Sequence, residues 1–109
     1  MAQRKTLPSG WIVYQLERQE MNYLQKYEIA VEGCDSCHCI LKNDVYYIPV
    51  LDAWVCEDCM QEWSIFSKRY LSSDEDTNME IDKMALFEEL CVKLNISIQK
   101  DVLSQQRIC

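Results

Sequence analysis

Histidine is nearly absent from this chain: His38 is the only one among 109 residues. That excludes a His-Glu-x-x-His protease, which needs two imidazoles on one helix face. It also argues against a zinc deaminase, whose His-x-Glu precedes a Pro-Cys-x-x-Cys; here Cys39-Ile40 follows the histidine and Val55 precedes Cys56. Basic residues are few as well, 11 Lys and Arg against 18 Asp and Glu, for a net charge of −7. Nucleic-acid binders draw most of their affinity from neutralising phosphates, so this balance disfavours direct contact with DNA or RNA. Arg4-Lys5 and Lys68-Arg69 are the only adjacent basic pairs, and both read as solvated ends. No apolar run reaches the length of a membrane span, and none backs the charges of Met-Ala-Gln-Arg-Lys-Thr, so no signal peptide is expected. There is no internal repeat. The glycosylation match at Asn95-Ile96-Ser97 is empty if the chain is not secreted.

Cysteine is abundant by contrast, with seven residues. Without a secretory signal they point to a reducing, intracellular (cytoplasmic) compartment, where thiols serve metals rather than disulfides. Four form two Cys-x-x-Cys pairs, Cys34-Asp35-Ser36-Cys37 and Cys56-Glu57-Asp58-Cys59, separated by 18 residues. Two such knuckles suit one tetrahedral Zn²⁺, each presenting two sulfurs at about 2.3 Å. Cys34, Cys37, Cys56 and Cys59 are therefore the expected ligands of one structural zinc per chain. A redox disulfide within either pair leaves the other pair unexplained. His38 or Cys39 could enter the shell in place of Cys37, but a knuckle takes the i and i+3 sulfurs most easily. Cys91 falls on the apolar side of a helix and reads as a small buried hydrophobe, and Cys109 as inert.

The composition, 49% hydrophobic and 27% charged, is that of a single globular domain in which a metal crosslink supplements a limited core. Residues 1–8 read as a flexible arm ended by Pro8. Residues 9–33 read as an N-terminal helix and linker. Val13, Leu16, Leu24 and Tyr27 place the helix at 10–28, although Trp11–Tyr14 could start as a strand. Residues 34–71 form the expected zinc module. In it, Val45–Ile48 and Trp54-Val55 make a hairpin with a turn near Leu51–Ala53, and Tyr46 and Ile48 share a face opposite Tyr47. The helix after Cys56 has Glu57 and Asp58 in its first turn and Lys68 and Arg69 in its last. Its stripe of Trp63, Phe66 and Tyr70 is expected to pack in the core rather than to bind a partner. Residues 72–109 comprise an acidic loop around Asp74-Glu75-Asp76 and C-terminal helices. One helix runs from Met79 to Leu94, capped by Thr77 or Asn78, with Ile81, Met84, Phe87, Cys91 and Leu94 on its apolar side and Asn95 closing it. A second, carrying Ile98, Val102 and Leu103, spans Ser97–Cys109 unless Ile96–Ile98 is a strand.

Knuckle, hairpin, then a second Cys-x-x-Cys opening a helix is the order of parts in the treble-clef zinc fingers, and Cys34–Tyr70 resembles that superfamily. Val55-Cys56-Glu57-Asp58-Cys59-Met60-Gln61-Glu62-Trp63 looks like its strand-to-helix half. The resemblance covers about a third of the chain. It implies a small α+β, treble-clef-like zinc module with helices on either side. It implies no single activity, because treble clefs serve protein binding, nucleic-acid binding and nuclease chemistry alike. The nuclease members need further histidines, and a RING cross-brace needs eight ligands; neither is present. Four thiolates close the coordination shell, so the chain is not expected to be an enzyme. The leading expectation is a non-catalytic protein-interaction module acting on a basic protein partner, with inhibition of that partner as one form its action could take. The alternatives are a nucleic-acid-binding zinc-finger regulator and a thiol-based redox or metal sensor using His38, Cys39 and Cys91. Tyr46, Tyr47 and Trp54 could stack bases, but no basic residues stand between them.

Overall fold

A computed structural model describes residues 2–27, 33–40 and 44–100. Its centre is a five-stranded sheet assembled from both ends of the chain. In chain order the elements are β1 (Ala2–Thr6), β2 (Ile12–Leu16), α1 (Arg18–Lys26), β3 (Val45–Ile48), β4 (Ala53–Val55), α2 (Glu57–Phe66), a short 3-10 turn (Arg69–Leu71), α3 (Asp74–Lys93) and β5 (Ile98–Gln99). The sheet order is β4-β3-β2-β1-β5, antiparallel except for the parallel pairing of β5 on β1. The architecture of the described residues is thus mixed α+β, with three α-helices around one sheet. Among the described residues no helix is long and apolar enough to cross a membrane.

The N-terminus corrects two expectations. Residues 2–6 are a strand rather than a flexible arm, paired with β2 from Gln3–Gln15 to Thr6–Ile12. The expected helix over 10–28 divides into β2 and α1. Gly10 makes the hairpin possible: its φ of +95° is open to glycine and strained for other residues, and its N–H donates to the Leu7 carbonyl at 2.8 Å. The β-branched and aromatic Trp-Ile-Val-Tyr run then takes its preferred extended form. Val13, Tyr14 and Leu16 are all fully buried, so β2 is covered on both faces and shows no alternation to betray it. A capping box starts α1, with the Glu17 N–H donating to Glu20 Oε1 at 3.0 Å. Residues 28–32, read as the lead into the first knuckle, lie outside the described residues.

The β3–β4 hairpin forms where expected. Register places Tyr47 with Tyr14 and Trp54 on one face, and Tyr46 with Gln15 and Val55 on the other. Phe87 of α3 packs on the first face, 4.6 Å from Tyr14, 4.9 Å from Tyr47 and 5.8 Å from Trp54, centroid to centroid.

Helix α2 stops at Phe66, so Lys68 and Arg69 are not its last turn. Arg69 instead reaches Glu80, a fully buried carboxylate, with Nε donating to Oε1 at 3.1 Å; Glu80 Oε2 accepts the Ile12 N–H at 2.9 Å. Ser73, not Thr77 or Asn78, caps α3, its Oγ accepting the Asp76 N–H at 3.3 Å. Asp74, Glu75 and Asp76 are therefore a helical first turn rather than a loop. On α3, Phe87 and Cys91 are buried and Met84 and Leu94 partly so, while Ile81 faces outward and Glu80 takes the inward position. Asn95 closes α3 with φ 58°, and the Ile96 N–H donates back to the Cys91 carbonyl at 2.8 Å. Ile98 and Gln99 form β5, close to the strand alternative at Ile96–Ile98, instead of beginning a helix; Val102, Leu103 and Cys109 lie outside the described residues.

Candidate metal centre

Two local structures meet at the cysteines. The first pair lies on a tight turn: the His38 N–H donates to the Cys34 carbonyl at 2.9 Å and the Cys34 N–H to the Cys39 carbonyl at 2.8 Å. A single antiparallel bridge between Gly33 and Ile40 closes the base, and His38 takes φ 65°. The second pair spans the junction where β4 ends and α2 begins, with Cys56 at the N-cap position and Cys59 in the first turn.

Asp35 fastens the two together. Its N–H donates to the Trp54 carbonyl at 2.8 Å, and its Oδ2 accepts the Trp54 N–H at 2.7 Å. This holds the turn beside the end of β4, two residues before Cys56. The Sγ atoms of Cys34, Cys37, Cys56 and Cys59 consequently lie within 4.8 Å of one another. Cys37 and Cys56 stand 3.8 Å apart, the separation of about 3.8 Å that a tetrahedral shell with bonds of about 2.3 Å requires. The four cysteines are positioned to bind one metal ion, as a single structural metal would need.

Hydrogen bonding favours negative sulfur here. Buried Cys34 accepts N–H bonds from Ser36 and Cys56 at 3.4 Å and from Cys37 at 3.5 Å. Burial raises its pKa, yet these three donors together hold it below the ordinary thiol value. Cys37 is lowered to about 6, first by the Cys39 N–H and then by the Cys39 and Cys59 thiols. Cys59 is pushed up to about 12 by burial and by its Cys56 and Cys37 neighbours. Sulfurs this close oppose one another's ionisation, and a bound dication removes that opposition.

Cys39 lies just outside the four-sulfur group. It is exposed, with Sγ 3.2 Å from that of Cys37, and the Cys37 sulfur beside it raises its thiol to about 12. The His38 side chain is exposed and does not join the group. Cys91 is fully buried and burial raises its thiol to about 12, as its apolar helix position implied.

Sequence reasoning misplaced part of the aromatic stripe. Trp63 is half-buried, 6.2 Å from the buried Trp11, but Phe66 is 78% exposed and Tyr70 82%. Phe66 and Leu71 border a surface cavity of about 330 Å³ whose other apolar walls are Trp11, Val50, Leu51 and Trp63. Asp76 of the acidic first turn lies on its rim. So does Lys68, whose Nζ donates to the Ser64 carbonyl at 3.2 Å. The signal available in the sequence was Ser67, the residue at which α2 gives way to extended backbone, so that Tyr70 leaves the helical register of the stripe. Tyr46, Tyr47 and Trp54 are buried, so they offer no stacking platform for bases. No protein family, no curated protein and no solved structure matches this chain.

Proposed function

We propose that this chain is a non-catalytic, zinc-stabilised protein-interaction module that docks on a basic protein partner. The juxtaposition that carries the reading is an exposed apolar cluster, Phe66, Tyr70 and Leu71, directly before the exposed acidic turn Asp74-Glu75-Asp76. An interface built there combines hydrophobic anchors with negative charge, and charge of one sign steers an oppositely charged partner to the site. The net charge of −7 acts in the same direction over longer range.

Zinc is the metal best suited to four thiolates in a tetrahedral shell, and such a shell leaves no position for a reacting water. The order of parts, a cysteine turn, the β3–β4 hairpin, then α2 carrying the second pair, supports a treble-clef reading of residues 34–70. Cytoplasmic residence follows from reduced thiols being needed for the metal.

Affinity capture with the tagged, zinc-loaded chain tests the partner reading when run beside Phe66→Ala/Leu71→Ser and beside Asp74→Ser/Glu75→Ser/Asp76→Ser. The expected result is a basic protein retained by the wild type and lost with the first variant. The second variant should bind it with slower association and little change in dissociation. Tight, salt-sensitive binding of the purified chain to short duplex or single-stranded nucleic acid would overturn the proposal.

A further inference from the structure

The fifth cysteine of the metal region has no role in a four-sulfur shell, yet it sits against that shell. Cys39 Sγ is 3.2 Å from Cys37 Sγ, closer than the 3.8 Å between Cys37 and Cys56. The contact is built into the backbone. The left-handed His38 folds the chain between the two cysteines, and the Cys34–Cys39 hydrogen bond with the Gly33–Ile40 bridge keeps Cys39 on the site. Exposure is graded in the same sense: Cys34 is buried, Cys56 and Cys59 are intermediate, and Cys37 and Cys39 are both open to solvent. The ligand that an oxidant reaches most easily is thus the one with a spare thiol beside it.

We propose that Cys37 and Cys39 form an oxidation site at which a hydroperoxide converts a metal ligand into half of a disulfide. The Cys37 thiolate attacks one peroxide oxygen, the O–O bond breaks, hydroxide leaves, and Cys37 becomes a sulfenic acid. The Cys39 sulfur then displaces the hydroxyl: the S–S bond forms, and the thiol proton departs with the hydroxyl as water. The two sulfurs together lose two electrons and the peroxide gains them. Cys37 no longer carries the negative charge that binds a metal, so the shell falls from four donors to three. The sulfurs need close only from 3.2 Å to about 2.05 Å, a movement within reach of side-chain rotation in an exposed turn. Cys56 and Cys59 are less exposed and tied to β4 and α2, which directs oxidation to the first turn.

This inference rests on the metal part of the proposed function and is independent of the partner. The experiment treats zinc-loaded full-length chain with hydrogen peroxide, follows released zinc with a chromogenic chelator, and maps disulfides by alkylation and peptide fragmentation. In the tryptic peptide Tyr27–Lys42, which holds Cys34, Cys37 and Cys39, the expected product lacks two hydrogens and carries its alkyl label on Cys34. Cys39→Ser should hold zinc before oxidation and release it several-fold more slowly after it. A first disulfide at Cys34–Cys37 or Cys56–Cys59, or equal release rates for wild type and Cys39→Ser, would overturn the proposal. The disulfide map of the wild type decides the matter even if the variant folds poorly. Zinc content before oxidation reads the metal assignment separately.

Discussion

Individual side chains carry most of the information about the metal centre, and two pairs of them can be set against each other. Cys37 lies in the four-sulfur group and Cys39 beside it, so Cys37→Ser should lose zinc while Cys39→Ser keeps one ion per chain by elemental analysis. Full occupancy in Cys37→Ser would show the ligand set to be wrong. The cysteine grouping was legible in the sequence because Cys-x-x-Cys spacing is local and survives any arrangement of the rest. Glu80 was not. The true inward stripe of α3 is Glu80, Met84, Phe87, Cys91 and Leu94, and the apolar Ile81 next door disguised its first member. Hydrophobic periodicity cannot register a carboxylate that is buried because an arginine and a backbone N–H wait for it. Glu80→Ala leaves the Ile12 N–H and the partly exposed Arg69 guanidinium without their acceptor. Hydrogen bonds to a charged group contribute roughly 1.5–3 kcal/mol each, and water restores part of the loss at Arg69, so a destabilisation of about 2–3 kcal/mol is expected. Urea titration reads it as a lowered midpoint with unchanged slope. A midpoint equal to that of the wild type would mean the pair contributes nothing net.

Elements were legible in proportion to how local their causes are. The β3–β4 hairpin, the helix opening after Cys56 and the close of α3 at Asn95 each have a signal within a few residues: β-branched strands around Pro49–Asp52, a second knuckle, an asparagine tolerant of left-handed backbone. Strand β1 has almost none, and β5 has only enough to leave a strand at Ile96–Ile98 open beside a helix. Ala2–Thr6 reads as polar and charged, and becomes a strand because β2 and the distant Ile98–Gln99 pair with its two edges. Gly10 is the local device that makes this possible, and it can be tested alone. A Cβ there would stand 3.0 Å from Arg69 Cβ in addition to straining a backbone at φ +95°. Left-handed backbone costs an L-residue roughly 1–2 kcal/mol, and displacing Arg69 disturbs its bond to Glu80 as well. Gly10→Ala is therefore expected to lower stability by about 2 kcal/mol or more, whereas Pro8→Ala, at an exposed hairpin position, should change it far less. Thermal melts of the two variants side by side would measure the contrast; equal melting temperatures would refute the role given to Gly10.

At the scale of the whole molecule the proposed metal and the sheet would be two separate sources of order, and removing one asks how far they are coupled. Structural zinc can supply on the order of 10 kcal/mol of apparent folding free energy, as much as the whole net stability of many domains. Complete unfolding on chelation is thus a real competitor to local loosening. The distribution of contacts decides between them. What a metal would hold is the Cys34–Cys39 turn against the start of α2, and the Asp35–Trp54 bonds clamp the same turn to the sheet. The packing of α3 on Tyr14, Tyr47 and Trp54 and the pairing of β1, β2 and β3 contain no metal ligand. Chelation should accordingly melt the turn and fray α2 while α3 stays docked on its aromatic face. Helix α2 contributes 10 residues against 9 in α1 and 20 in α3, so far-UV circular dichroism should lose about a quarter of its helical signal. Near-UV signal from the Tyr14–Tyr47–Trp54–Phe87 cluster should persist, and that from Trp11 and Trp63 should weaken as α2 loosens. An unchanged far-UV spectrum with zinc verifiably gone would show that the metal orders nothing. Loss of both signals in one step would show instead that the sheet depends on the metal for its existence, and that the α3 face cannot stand without it.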